Sequence, residues 1–188
     1  MSHDVLNIVV VGDGTVGKTC LLHAYTDESF TNFYTPTIYD KESIEMVLDG
    51  VRHTITLHDT AGQEDYDRIR QQFYKKAQCF LLCYSIDNRV TFENIKAKWI
   101  PELSATGNKV PIVLIATKVD LRRYIDTEVS TEEGAKLARK INANCFVECS
   151  AKNDINVKLA IEEAVRACIY GVPIPEPDEQ CCGLCPIS

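Results

Sequence analysis

Residues 12–19 read Gly-Asp-Gly-Thr-Val-Gly-Lys-Thr and follow directly on the apolar run Val5–Val11. Ahead of them lies Cys20-Leu21-Leu22-His23-Ala24, a stretch that favours helix. A glycine-rich turn between a buried strand and a helix leaves few folding options. Gly12 lets the chain leave the strand, and Gly17 gives the backbone room to wrap an anion. Several amide N–H groups, contributed by Asp13, Gly14, Thr15 and Val16 as well as Gly17, then converge at the positive mouth of the helix. Lys18 supplies a point charge suited to β- and γ-phosphates, and the hydroxyl of Thr19 is placed to ligate Mg²⁺. The pattern predicts a nucleoside phosphate held at the end of a strand.

The remaining punctuation fits a sheet built around that strand. Continuous apolar runs recur at Val51–Leu57, Cys79–Ser85, Pro111–Thr117 and Asn144–Glu148, as expected of strands buried on both faces. Lys41–Leu48 alternates instead, which suits an edge strand, and Asp49-Gly50 after it is a hairpin turn. Helical patterns fall near Lys18–Thr26, Tyr66–Lys76, Phe92–Leu103, Thr131–Ile141 and Asn156–Tyr170. One hairpin followed by repeated β-α units predicts an α/β fold: a doubly wound, mostly parallel six-stranded sheet with helices on both faces. Residues 1–170 are expected to form this domain. The Pro-rich segment 171–188 cannot continue a helix and is expected to be an extended, flexible tail.

Composition narrows the partners. A formal net charge of −7 over 188 residues argues against nucleic acid, which selects a basic face. Of the nine cysteines, six lie inside apolar patterns and are expected to be reduced, buried hydrophobes. Asp4 and Asn7 interrupt any apolar leader, and no run approaches membrane-spanning length, so a cytosolic body is expected.

In a sheet of this kind ligands sit beyond the carboxyl ends of the strands, so the loops there carry the chemistry. After Leu57 come His58, Asp59, Thr60, Ala61, Gly62 and Gln63. Asp59 alone is equally a turn cap. With Gly62 and Gln63 behind it, it can hold the hydration shell of a Mg²⁺ ion that Thr19 completes. Gly62 can bring its N–H to a γ-phosphate, and Gln63 can orient an attacking water. After the fifth run come Thr117, Lys118, Val119 and Asp120. A carboxylate at Asp120 accepts from guanine N1–H and the exocyclic amine together, whereas adenine would leave it unpaired. The stem of Lys118 can lie along the base. After the sixth, Cys149, Ser150, Ala151 and Lys152 can offer a backbone N–H to guanine O6.

These stretches, taken in order, resemble the five nucleotide motifs of the Ras-like small GTPases across essentially the whole chain. Tyr-Thr-Pro-Thr-Ile-Tyr-Asp at 34–40 and Asp-Thr-Ala-Gly-Gln-Glu-Asp-Tyr-Asp-Arg-Ile-Arg at 59–70 are similar to the Rho/Rac branch in particular. Thr117, where most relatives carry Asn, looks like the Rac subgroup. The resemblance implies a GTP/GDP switch with slow, Mg²⁺-dependent GTP hydrolysis. Cys20 and Ala61 would belong to the nucleotide site. Phe30 would pack against the guanine edge and Tyr34 would close over the phosphates. Thr37 would bring its hydroxyl to Mg²⁺ and its N–H to the γ-phosphate. Residues from about Phe30 to Asp40 and Thr60 to Tyr74 would be held by those contacts and released on hydrolysis. Tyr66, Arg68 and Ile69 would help read partners: activating proteins, exchange factors, a dissociation inhibitor and effectors, met by a monomer. No internal arginine finger is evident, so an activating protein is expected to supply one. A side chain at Gly14 is expected to crowd Gln63 and that arginine. Signalling to the actin cytoskeleton is implied by the likeness alone.

The end of the chain, Cys185-Pro186-Ile187-Ser188, resembles a prenylation box; Ser leans towards farnesyl, with geranylgeranyl left open. One lipid binds only marginally, and the tail is acidic through Glu176, Asp178 and Glu179 rather than polybasic. Cys181 and Cys182 are therefore expected to be palmitoylated, the alternative being free thiols, with residence at the cytoplasmic face of the cell membrane. Three departures from the family stand out. Only Leu121 to Ser130 separate Asp120 from the next helix, too few for the usual Rho insert. Gln71 and Gln72 replace a Pro-Leu pair. His58 replaces an aromatic residue that helps choose exchange factors, and is expected to be a solvated histidine on a sheet face, with a titrating switch as the alternative. Two rival readings stand beside the switch: a nucleotide-locked scaffold, disfavoured by Gly14, Gln63 and Thr37, and a small ATP-using kinase, disfavoured by Asp120.

Overall fold

A computed structural model describes residues 5–26, 39–63, 66–107, 109–123 and 127–171. Phe30, Tyr34, Thr37, Cys181, Cys182 and Cys185 lie outside the described residues. The chain runs β1 (Leu6–Gly12), α1 (Lys18–Tyr25), β2 (Tyr39–Leu48), β3 (Val51–Thr60), α2 (Asp67–Tyr74) and β4 (Cys79–Ser85). It continues through α3 (Arg89–Asn94), a π turn (Ile95–Trp99), α4 (Ile100–Ser104), β5 (Ile112–Thr117), a 3-10 turn (Val119–Leu121), α5 (Thr131–Lys140), β6 (Cys145–Glu148) and α6 (Val157–Tyr170).

The strands form one six-stranded sheet in the order β2-β3-β1-β4-β5-β6. Only β2 runs antiparallel, paired to β3 from Leu48↔Val51 to Tyr39↔Thr60; the other neighbours are parallel. The doubly wound, mostly parallel α/β sheet expected from the sequence is therefore the observed one. Alternate residues of each inner strand serve opposite faces. Ile8, Val10, Leu57, Leu81 and Cys83 pack with Leu21 and Leu22 of α1 and Ala160, Ile161 and Ala164 of α6. Val9, Val11, Phe80, Leu82 and Tyr84 pack with Tyr74, Ile95, Trp99 and Leu137 on the other side. Burial on both faces is why those strands read as unbroken apolar runs.

Two elements differ from expectation for identifiable reasons. β3 continues past Leu57 to Thr60, because His58 and Asp59 pair with Lys41 and Asp40 on one side and with Val9 and Val10 on the other. Polar side chains hide a strand from a hydrophobicity pattern without disturbing its ladder. The single helix expected over Phe92–Leu103 starts earlier, at Arg89, where the Asn88 side chain accepts from the Val90 amide as an N-cap. It is also broken by the π turn, just ahead of Pro101, which has no N–H to continue an α-helical ladder.

α5 begins at Thr131 behind a capping box in which Ser130 Oγ accepts from the Glu133 amide and the Glu133 carboxylate accepts from the Ser130 amide. Among the described residues, no helix is long and apolar enough to cross a membrane.

Candidate functional site

The loop between β1 and α1 is shaped by its backbone. Thr15 and Gly17 both have positive φ, 65° and 98°. At 98°, Gly17 adopts a conformation that side-chain-bearing residues rarely take, and so supports the predicted turn. Lys18 is buried, with Nζ donating to the carbonyls of Gly12 at 2.9 Å and Asp13 at 2.7 Å. An ammonium has three donors, so one remains for an anion inside the loop. Burial pulls the Lys18 pKa down, against the attraction of Asp59, Cys83 and Asp13. Asp13 contributes its backbone here; its carboxylate turns outward, accepting from Trp99 Nε1 at 2.7 Å and Asn94 Nδ2 at 2.6 Å.

Thr19 and Asp59 come together as expected. Thr19 Oγ1 donates to Asp59 Oδ2 at 2.5 Å. Asp59 Oδ1 is buried yet has no hydrogen-bond partner, one of two such side-chain atoms among the described residues. Burial raises the Asp59 pKa, opposed by the Thr19 hydroxyl and Lys18. An orphaned carboxylate oxygen beside a hydroxyl, at a phosphate loop, is a donor set of the hard oxygen type that Mg²⁺ takes.

Ala61, Gly62 and Gln63 lie against that loop. A Cβ at Gly62 would stand 2.3 Å from the Gly12 carbonyl oxygen and 2.4 Å from both the Asp13 carbonyl carbon and the Gly14 amide, all backbone. No side chain fits there. At Gly14 a Cβ would meet only Gln63 Cγ, at 4.0 Å, an ordinary contact. The expected crowding at this position therefore begins beyond the first carbon, and Gln63 is the first group it reaches.

A cleft of about 180 Å³ opens beside the loop, lined by Gly17, Cys20, Thr117, Lys118, Asp120 and Lys152, with Ala151 and Cys149. Asp120 accepts from Ser150 Oγ at 2.5 Å, and Ser150 is 0% exposed. The Cys149 amide is used by Ala116 O and the Ser150 amide by Ile155 O. Ala151 and Lys152 are therefore the positions of this loop whose amides face no such commitment among the described residues. Thr117 lines the cleft, but its hydroxyl is shared between the carbonyls of Val16 and Tyr84, at 2.5 and 3.0 Å. It ties the phosphate loop to β4 and β5. Val16 is buried beneath, and Cys20 is half-buried with its thiol pKa raised by burial.

His58 corrects the sequence reading. It is 5% exposed, not solvated. Nδ1 lies 2.9 Å from Tyr39 Oη and Nε2 3.0 Å from Asn7 Oδ1. Since the amide oxygen can only accept, the ring is the Nε2–H tautomer and Tyr39 donates to Nδ1. Burial first, then Lys41 and Lys76, lowers its pKa and keeps it neutral. Phe73 stacks flat on Tyr39, with centroids 4.0 Å apart. Arg68 and Ile69 are exposed on the same helix, Ile69 by 40%.

Sequence reasoning missed Arg70, Trp99 and Glu102. Arg70 is 1% exposed and pairs with Glu102 at 2.9 Å. The only cue was a cation within α2 on the side that also carries Tyr74.

Comparison with known proteins agrees with this geometry. The sequence model described as the Ras family matches residues 7–170. The Ras-like GTP-binding protein RhoL of Drosophila melanogaster is 48% identical over 163 residues, spanning 86% of this chain and 86% of that protein. The chain belongs to the Ras family, as a Rho-type small GTPase.

Proposed function

We propose that this GTPase is a Rho/Rac-type signalling switch whose two states are told apart at the contact between Gly62 and the phosphate loop. That contact carries the reading. Gly62 rests on the backbone of Gly12, Asp13 and Gly14, beside the Lys18 ammonium. A terminal phosphoryl group gripped by Lys18 offers the Gly62 amide a new acceptor, and α2 with its exposed Arg68 and Ile69 follows that loop. GDP provides no such acceptor, so the partner-reading face differs between the two nucleotides.

Thr19 and Asp59 would hold Mg²⁺, joined by Thr37. When bound, the ion supplies positive charge at the phosphates. Lys18 adds its own charge, and Gln63 orients the water that attacks in line. Asp120, pinned by Ser150, accepts from guanine, and the Ala151 amide faces O6. By the family resemblance, Phe30 and Tyr34 would complete the site. Nothing in the described chain supplies an arginine to the transition state, so fast turnover rests on an activating protein; for Ras itself such an arginine is worth about 10⁵-fold. Exchange factors, a dissociation inhibitor and effectors that act on the actin cytoskeleton are the partners proposed, with lipid attachment at Cys185, Cys181 and Cys182 holding the protein at the membrane.

The test is hydrogen exchange of residues 60–74 with GDP and with a non-hydrolysable GTP mimic, beside single-turnover hydrolysis with and without an arginine-bearing activator. Indistinguishable exchange in the two states would sink the proposal and favour a nucleotide-locked scaffold.

A further inference from the structure

The Asp13 carboxylate is gripped from two positions five residues apart, Asn94 and Trp99. On an α-helix such residues point about 140° apart and could not share one acceptor. The π turn Ile95–Trp99, whose hydrogen bonds close on the fifth residue, brings them onto one side. The Trp99 indole then carries the Arg70 guanidinium on its face, 4.7 Å from the ring centroid.

Arg70 uses its fork in two directions. Nε and Nη2 each donate to a Glu102 oxygen at 2.9 Å, and Tyr74 Oη, 2.9 Å from Nε, donates to Glu102 at 2.6 Å. Nη1 donates instead to the carbonyls of Ala61, at 2.7 Å, and Gln63, at 3.3 Å. Those carbonyls lie beyond the end of β3, where no strand partner remains. A buried ion pair stabilises a fold poorly compared with apolar packing, so its presence here calls for a use other than stability.

We infer that Arg70 is a positioning residue for Gln63: it fixes the backbone on either side of Gly62 and refers it, through Trp99 and Asp13, to the loop carbonyl that holds Lys18. The π turn anchors this path. The inference rests on the reading of Gln63 as the group that orients the attacking water. Lysine does not reproduce Arg70, because its compact ammonium lacks the planar fork that pairs with both Glu102 oxygens while a third nitrogen reaches the two carbonyls.

The experiment is single-turnover GTP hydrolysis, with GDP release and thermal unfolding measured alongside, for Arg70→Lys and Trp99→Phe. Each is made alone and on Gln63→Leu. Arg70→Lys is expected to slow hydrolysis about tenfold, the scale of a small misplacement of a reacting group. GDP release should stay within twofold, and on Gln63→Leu the same change should cost nothing further. Trp99→Phe removes the indole N–H and part of the ring face under Arg70, and should slow hydrolysis about threefold, again only where Gln63 is present; thermal unfolding reports the cost of the smaller ring at this buried position. It carries the test if Arg70→Lys fails to fold. Equal losses in both backgrounds, or unchanged hydrolysis while Gln63→Leu is slow, overturn the inference. A Gln63→Leu protein that hydrolyses GTP at the parental rate overturns instead the role of Gln63 on which it stands.

Discussion

Ser150→Ala tests how the guanine-facing carboxylate is held. Ser150 is fully buried; its Oγ donates to Asp120 at 2.5 Å and accepts from the Asn153 amide at 3.2 Å. A hydrogen bond to a charged group is worth about 1.5–3 kcal/mol. Asp120 keeps partial contact with water, which can replace some of the loss, so the lower half of that range applies. At 1.36 kcal/mol per decade this corresponds to about 10- to 50-fold weaker nucleotide binding. The loss should appear in the off-rate, because the hydroxyl acts on a carboxylate that is already in place when the base arrives. Release of a fluorescent GDP analogue into excess unlabelled GDP, at saturating Mg²⁺, measures it directly. GTP hydrolysis in a single turnover should change less than threefold, since the phosphate loop and Gln63 are untouched. Asp120→Asn provides the specificity arm. Its amide offers a donor where guanine also presents donors, and should exchange guanine for xanthine preference. Release within twofold of the parent for Ser150→Ala, or unaltered base preference for Asp120→Asn, would refute the assignment of this cleft.

Four further outcomes follow from the same geometry. Gly62→Ala must displace backbone that it meets at 2.3 Å, so hydrolysis should fall about 100-fold while GDP affinity is nearly kept; normal turnover would count against the contact. Chelating Mg²⁺ should accelerate GDP release from the parent, whereas Asp59→Ala, lacking the orphaned oxygen, should release GDP fast with or without chelator. His58→Leu strands the Tyr39 hydroxyl and the Asn7 amide and should cost about 1–3 kcal/mol in urea unfolding at pH 7. Glu133 is held down to about 2, first by Arg89 and then by the Ser130 amide. Its folded pKa lies below its unfolded value, so its contribution is present above about pH 4.5 and is lost as pH falls towards 2. Because Glu133 is 41% exposed, that contribution is screened to about 1 kcal/mol or less. Glu133→Gln should therefore destabilise slightly at pH 7 and not at all near pH 2, and a pH-independent loss would show that the charge is irrelevant.

The fold was legible wherever burial on both faces wrote itself into the chain. β1, β4 and β5 are apolar throughout because helices cover each side, and the alternation in Lys41–Leu48 marked the edge strand. Boundaries failed where backbone and side chain disagree. His58 and Asp59 are polar yet have strand partners on both sides, and Thr60 on one, so the strand runs through them unseen. The helix expected over Phe92–Leu103 has the right apolar spacing, and nothing in that spacing distinguishes an α turn from a π turn. Pro101 was the one local hint.

For the site the division is sharper, and it has a physical origin. Gly12–Thr19, Asp59–Gln63, Thr117–Asp120 and Cys149–Lys152 are each one short run of sequence at or just past a strand end, because a phosphate or a base is met there by consecutive residues. Contacts of that kind survive as motifs. What holds those loops in place works over distance: Arg70 reaches Glu102 across 32 residues, Asp13 reaches Trp99 across 86, and Thr117 reaches Val16 across 101. No spacing rule joins such pairs, since they depend on which helix crosses which strand. His58 shows the consequence. Viewed along the chain it is a histidine beside a catalytic loop, with a titrating role as one alternative, yet Asn7, 51 residues away, accepts its Nε2 proton and holds the ring in the packed interior. Burial first, then Lys41 and Lys76, favours the uncharged ring, so the same long-range packing that hides His58 from the sequence also moves its titration downward.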